Sequence, residues 1–223
     1  MKTISVESID STNTYLKNLK KPKEDTLIIA KKQTGGRGTK GRSFICEEGG
    51  VYMSLLKLYP CKAKDSFSIM MNSAVAVVKT LSAFDIKAKI KWPNDIIVNG
   101  KKICGILIEN VFEGDDVAKS IVGIGLNVNN PIAKEIEDIA ISTKEVLGKE
   151  ISVATVTATL VFNLYQPTTY EEYKKHLLYL GEEVTVITQK STYKALIDDI
   201  LPNGNLKTSK GEMLSAAEIT IRK

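Results

Sequence analysis

The chain has 223 residues, 43% of them hydrophobic, enough for one large domain or for a large and a small one. Its net charge of +5 suits phosphates or an acidic protein partner but is too small and dispersed to argue for nucleic acid by itself. Three cysteines without a C-x-x-C pair indicate neither a disulfide framework nor a zinc site, and no apolar run is long enough for a membrane span. The N-terminal MKTISVESID lacks the apolar core of a signal peptide, so the expectation is a reduced, cytoplasmic chain without a membrane partner.

In chain order, Asp10 or Ser11 can cap a helix over TNTYLKNL, and TLIIAKKQ has the β-branched character of a buried strand. A glycine-rich loop, QTGGRGTKGRSF, follows at residues 33–44, and VYMSLLKLY reads as a second strand. Residues 66–84 set Phe67, Met70, Met71, Ala74, Val77 and Val78 at helical spacing. AKIKW alternates like an edge strand. DIIVNGKKICGILIE places Asn99-Gly100 between two apolar runs, a strong hairpin signal. SIVGIGLNVNN is a further buried strand, and residues 152–180 read as mainly helical despite Pro167. From Gly181 the pattern changes to short strands with turns such as Pro202-Asn203-Gly204, as in a small β-barrel or sandwich. The expectation is an α+β body, residues 1–179, whose mixed sheet packs with helices, followed by a small all-β unit, residues 180–223.

The loop contains a literal G-x-G-x-x-G at Gly36, Gly38 and Gly41. A dinucleotide fingerprint needs its glycines to open a helix, but RSFICEEGG follows and breaks with glycines. A Walker A loop fails because Gly41, not Ser or Thr, follows Lys40. The only histidine, His176, precedes two leucines, so a kinase H-R-D segment is absent and no motif supplies a histidine base. Two readings stay open: an anion site built from backbone N–H groups with Arg37, Lys40 and Arg42, or a solvated basic turn. KWPNDIIVNGKKICGILIE, residues 91–109, adds Lys91, Trp92, Asn94 and Asp95 before the hairpin and Lys101 and Lys102 on its return strand. A hairpin with a core tryptophan explains Trp92 and Asn99-Gly100 but not the cluster of Asn94, Asp95 and Lys102.

Three segments carry a resemblance: DSTN at residues 10–13, the glycine loop, and KWPND followed by K-x-x-G-I-L. VGIGLNVN, with Gly123, Gly125 and Asn127, is a weaker fourth. In order and spacing they resemble the biotin–protein ligase family, in its short form without an N-terminal DNA-binding domain, across nearly the whole chain. The resemblance implies a synthetase-like catalytic domain with a C-terminal SH3-like barrel. It implies two substrates, ATP and biotin, joined as biotinyl-5′-AMP with release of pyrophosphate, and then transfer of biotin to a lysine of a biotin carboxyl carrier domain. Related lipoate ligases share that fold and are the nearest alternative; a basic nucleic-acid or ligand-binding module is the non-enzymatic one.

By the same resemblance, Lys102 and Arg37 are the catalytic cations at the carboxylate and α-phosphate. Ser11, Thr12, Asn13 and Gln33 match positions that hydrogen-bond biotin's ureido head, with Gly36, Gly38, Thr39, Gly105 and Gly125 also in the biotin site. Lys40, Arg42, Phe44, Trp92, Asn94 and Asn127 fall on the nucleotide side, Phe44 standing where the family usually has a tryptophan. Asp95, with Asn94, would hold Mg²⁺ through the triphosphate. Thr39 departs from the family's G-R-G-R loop, which bears on how tightly the adenylate is retained. DSTN begins within ten residues of the N-terminus, leaving no room for a helix-turn-helix, so no DNA partner is expected. The hairpin edges allow a homodimer.

Overall fold

The structure, a computed structural model, describes residues 1–216 and 219–222, with the side chains of Lys40 and Thr220 outside the described set. Twelve strands and five helices are described, and the strands form two sheets. The larger has seven strands in the order β1 (Lys2–Ile9), β2 (Thr26–Gln33), β3 (Val51–Leu58), β7 (Asp116–Leu126), β6 (Lys101–Glu113), β5 (Asp95–Val98) and β4 (Lys89–Lys91). Only β1 and β2 pair in parallel; every other neighbour is antiparallel, so the sheet is mixed. Strand β1 lies outside the sequence expectations. KTISVESI alternates Ile4 and Val6 with polar residues, and these two pack against the small cluster of Leu16, Ile28, Leu56 and Ile121.

The sheet's two faces are covered unequally. One carries α2 (Phe67–Ser82), backed by α4 (Val153–Leu164) and α5 (Tyr170–His176), and this side holds most of the core, including Val75, Val77, Leu81, Ile96 and Ile106. Residues 152–180 are helical in two pieces rather than one, because the chain breaks around Pro167 and restarts where Thr169 caps α5 through the Glu172 N–H. On the other face α1 (Thr12–Lys17) lies against β2, β3 and β7, and the glycine loop stacks on its first turn. A short helix α3 (Thr143–Leu147), opened by a Ser142–Glu145 capping box, lies on the way to α4. The half-covered face is where a ligand has room.

The second sheet is antiparallel, ordered β11 (Met213–Leu214), β10 (Leu206–Thr208), β9 (Thr192–Ile200), β8 (Glu183–Ile187) and β12 (Thr220–Arg222). It is pinned to the body by the Pro202-Asn203-Gly204 turn. Trp92 Nε1 donates to Gly204 O at 2.8 Å, and Gly204, at φ 87°, lies so close to Phe67 that any Cβ would overlap the ring. Phe67 in turn meets Tyr173 edge to face, with centroids 5.7 Å apart. The tryptophan is 4% exposed, which accounts for its place in the sequence as a core residue.

Candidate active site

Two sequence motifs meet first. DSTN caps α1: Ser11 Oγ accepts from the Thr14 N–H, and Thr12 and Asn13 are buried as a result. The glycine loop stacks on this turn, with Gly35 N–H donating to Asp10 O at 2.8 Å. The loop then folds back on itself through Gly38 N–H to Arg42 O, at 2.6 Å, and Phe44 N–H to Gly36 O, at 2.9 Å. Gly36 is demanded by that close approach, because a Cβ there would overlap Phe44 O.

Beneath them lies a glycine-paved strip of sheet. Gly123 and Gly125 are two apart on β7 and so face the same way, and Gly105 on β6 is the cross-strand partner of Gly125. A Cβ on Gly123 would overlap Asn13 Oδ1, and one on Gly125 would sit 2.8 Å from the Phe44 ring. The missing side chains let Asn13 and Phe44 lie directly on the backbone.

Lys102 reaches this strip through a bulge. Ile96 pairs with Cys104 but Ile97 with Lys102, so Ile103 is an extra residue on β6. Both Ile103 and Cys104 turn into the core, at 0% exposure each, and Lys102 emerges on the face of Gly105 three residues on. Strict alternation would have put Lys102 and Gly105 on opposite faces. The Lys102 backbone is held on its other side by residues 139–141, through Lys102 N–H to Ile139 O and Ile141 N–H to Lys102 O. Its ammonium lies 2.6 Å from Asp95 Oδ1 and 5.7 Å from the Phe44 ring centre.

The resulting cavity is lined by Ser11, Thr12, Asn13, Gln33, Arg37, Gly38, Thr39, Phe44, Asn94, Lys102, Gly105 and Gly125, all expected from sequence. Its inner end is a polar network. Gln33 Oε1 accepts from the Thr12 N–H at 2.7 Å, and Ser54 Oγ lies 2.7 Å from Thr12 Oγ1 and within bonding distance of Asn13 Oδ1. Asn13 Nδ2 donates to Glu109 Oε2 at 3.0 Å, and Gln33 Nε2 meets Cys46 Sγ at 3.0 Å. Ser54, Glu109 and Cys46 had no individual signal in the sequence; Ser54 stands between the apolar Met53 and Leu55 in a buried stretch of β3, and that mismatch could have marked it.

A second cavity adjoins the first, bordered by Arg42, Lys91, Trp92, Pro93, Asn94, Asp95, Ile219 and the β12 residue Ile221. A third, sharing Arg42, Asp95 and Lys102, runs along residues 130–140 and reaches Asn127. Asn127 is itself committed to structure, its Nδ2 donating to Ile141 O and its Oδ1 accepting from Asn130. The Lys40 side chain, expected at the nucleotide, lies outside the described residues.

Burial would raise the Glu109 carboxyl, but hydrogen bonds from Asn13 and Lys17 and the nearby Lys17 and Arg37 charges hold it below the ordinary glutamate value. Burial pushes the Cys46 thiol up to about 11 and that of Cys104 higher, so neither is a thiolate nucleophile near neutral pH. Among the described residues, no group of three or more His, Cys, Asp or Glu side chains could hold a metal, and no helix is long and apolar enough to cross a membrane.

The arrangement can grip a small acid by a polar head and present its far end to Lys102 and Arg37. Residues 5–127 match the model of the biotin/lipoate A/B protein ligase family, more than half of the 223-residue chain. The chain belongs to that family. The bifunctional ligase/repressor BirA of Bacillus subtilis (strain 168) is 40% identical over 158 residues, which are 69% of this chain and 48% of that protein. The biotin–[acetyl-CoA-carboxylase] ligase of Paracoccus denitrificans is 32% identical over 104 residues, 45% of this chain and 43% of that one. This ligase-family chain thus spans about half the length of the curated relatives it matches. Among solved structures, the biotin protein ligase of Aquifex aeolicus in complex with biotin and ATP aligns over 100% of this chain and 99% of its own, with a TM-score of 0.81 at 28% identity.

Proposed function

We propose that the protein is a biotin–protein ligase. It activates biotin with ATP to biotinyl-5′-AMP and transfers the biotin to a lysine of a biotin carboxyl carrier domain. The observation that carries this is the hydrogen-bonding inner end of the first cavity. Ser11 keeps its hydroxyl proton, Gln33 one N–H, and Asn13 an N–H and a lone pair after their internal bonds are counted. A cyclic urea, with one carbonyl and two N–H groups, answers that set. Lipoate's dithiolane cannot, and it would leave these groups buried and unpaired, a cost of about 1–3 kcal/mol each. The names of the relatives in Bacillus, Paracoccus and Aquifex support the same reading.

At the other end, Lys102 and Arg37 flank the point where the two substrates join. In the first step a biotin carboxylate oxygen attacks the α-phosphorus and pyrophosphate leaves; charge on the equatorial oxygens is met by the two cations and by loop N–H groups. In the second, the carrier lysine attacks the acyl carbon and AMP departs with the C–O bond pair. Phe44 on the glycine strip offers a flat apolar wall at the junction, and Arg42 and Trp92 border the nucleotide side. Asp95, beside Asn94, would supply a carboxylate oxygen to Mg²⁺, and the ion would offset the charge of the triphosphate. The carrier approaches along β6. Beyond Gly105 no strand pairs with its outer edge among the described residues, and Val111 and Phe112 there are exposed.

Incubation with biotin, ATP, Mg²⁺ and an isolated carrier domain tests the proposal. Mass spectrometry should find one biotinyl adduct on one carrier lysine. A carrier left unmodified by biotin yet modified by lipoate would transfer the reading to lipoate.

A further inference from the structure

Glu109 is an ionised group in the candidate site that the two chemical steps leave without a role. It lies on β6 with its side chain 23% exposed, its Oε2 accepting from Asn13 Nδ2 at 3.0 Å and its Oε1 from Lys17 Nζ at 3.2 Å. On the opposite side of the same amide, Asn13 Oδ1 accepts from Ser54 Oγ, and Gly123 beneath it has no Cβ to hold the amide in one orientation. An asparagine amide presents either end equally well unless its neighbours choose. Ser54 does not choose, because a hydroxyl both donates and accepts. Glu109 does: a carboxylate only accepts, and the flipped amide would set Oδ1 against Oε2. Lys17 holds the carboxylate's other oxygen, and Glu109 is kept ionised by these same contacts.

We propose that Glu109 is a positioning residue that fixes the Asn13 amide with its oxygen as the acceptor. That single lone pair then reads a ureido N–H of the bound acid, in a cavity end whose other free groups are mainly donors. This rests on the ligase reading above. A cyclic head that lacks an N–H at that point is rejected because Asn13 cannot turn its own N–H toward it without facing its oxygen to Glu109. Removing the carboxylate frees the amide and relaxes the discrimination.

The test is biotin-dependent ATP–pyrophosphate exchange with biotin and with an analogue methylated on one ureido nitrogen. The proteins are the unaltered chain, Glu109→Ala, Glu109→Gln and Lys17→Met, each with its thermal midpoint. Glu109→Ala should raise the KM for biotin roughly ten- to a hundredfold, shrink the preference for biotin over the analogue by a similar factor, and leave the KM for ATP within about twofold. Glu109→Gln should fall between, since its Oε1 still accepts from Asn13 but its amide can flip. Lys17→Met, which leaves the carboxylate in place, should change the KM for biotin less than about threefold. An unchanged preference in Glu109→Ala would reduce Glu109 to a tie between α1 and β6 and overturn the proposal. So would Lys17→Met reproducing the full effect. If Glu109→Ala does not fold, Glu109→Gln decides by the same preference, lowered in support or unchanged in refutation. An unaltered chain with no biotin-dependent exchange would instead sink the ligase reading itself.

Discussion

The substitution Gly123→Ala isolates the glycine strip from the charged chemistry. A Cβ there would overlap Asn13 Oδ1 and stand 2.9 Å from Asn13 Cγ. Carbon atoms rest about 3.5–4.0 Å apart, so the amide must retreat by about 1 Å. That movement breaks or stretches the bonds from Ser54 and to Glu109 and takes Asn13 out of register with the ligand's head. A shift of that size can cost on the order of a hundredfold in binding or rate, and overpacking adds about 1–3 kcal/mol of destabilisation. For a chain of this length the second figure corresponds to a fall in Tm of roughly 2–12 °C. The assay is biotin titration by calorimetry together with pyrophosphate exchange at varied biotin and ATP. The expected result is a KM for biotin raised about ten- to a hundredfold with that for ATP nearly unchanged. Biotin affinity equal to that of the unaltered chain would refute the placement of Asn13 at the ligand's head.

Lys102→Ala should abolish adenylate formation while the fold persists, because the bulge at Ile103 and the strand bonds to residues 139–141 do not depend on the side chain; normal exchange in a folded variant would remove Lys102 from the mechanism. Trp92→Phe should lower Tm by removing the hydrogen bond to Gly204 O, a net contribution of about 0.5–1.5 kcal/mol, and an unchanged Tm would detach the small sheet's anchoring from that bond. The folded Glu109 pKa lies below its unfolded value, so its contribution to stability is complete above the ordinary glutamate range and is lost as pH falls through the folded value. The Tm difference between the unaltered chain and Glu109→Gln should therefore be flat near neutrality and close in acid; a difference that widened in acid would contradict the assignment. Raised salt should slow biotin transfer to the carrier more than adenylate formation, and equal sensitivity would argue against electrostatic docking of an acidic carrier on this basic chain.

Which parts of the site were legible in the sequence follows from physics. DSTN and the Asn99-Gly100 turn are local signals: Ser11 caps α1, and Asn99 and Gly100 adopt φ 51° and φ 78°, as a primed two-residue turn requires. The glycines at 123 and 125 were visible as residues, but their reason was not, because each makes room for a group distant in the chain, Asn13 and Phe44. Ser54 and Glu109 are fixed by strand register, and a lone serine or glutamate carries no register information until its neighbours are known. The same holds for the bulge at Ile103, where one extra residue decides which face receives Lys102. Strand β1 has no such local signal: its partner β2 runs parallel to it, with α1 between them, and no tight turn joins such a pair.

The central claim is that this cavity activates biotin and not another acid. Exchange of labelled pyrophosphate into ATP, measured with biotin, with lipoate and with no added acid, tests it most directly. Exchange should appear with biotin, fall to background without an acid, and stay near background with lipoate. Exchange that is independent of biotin, or as fast with lipoate, would contradict the account.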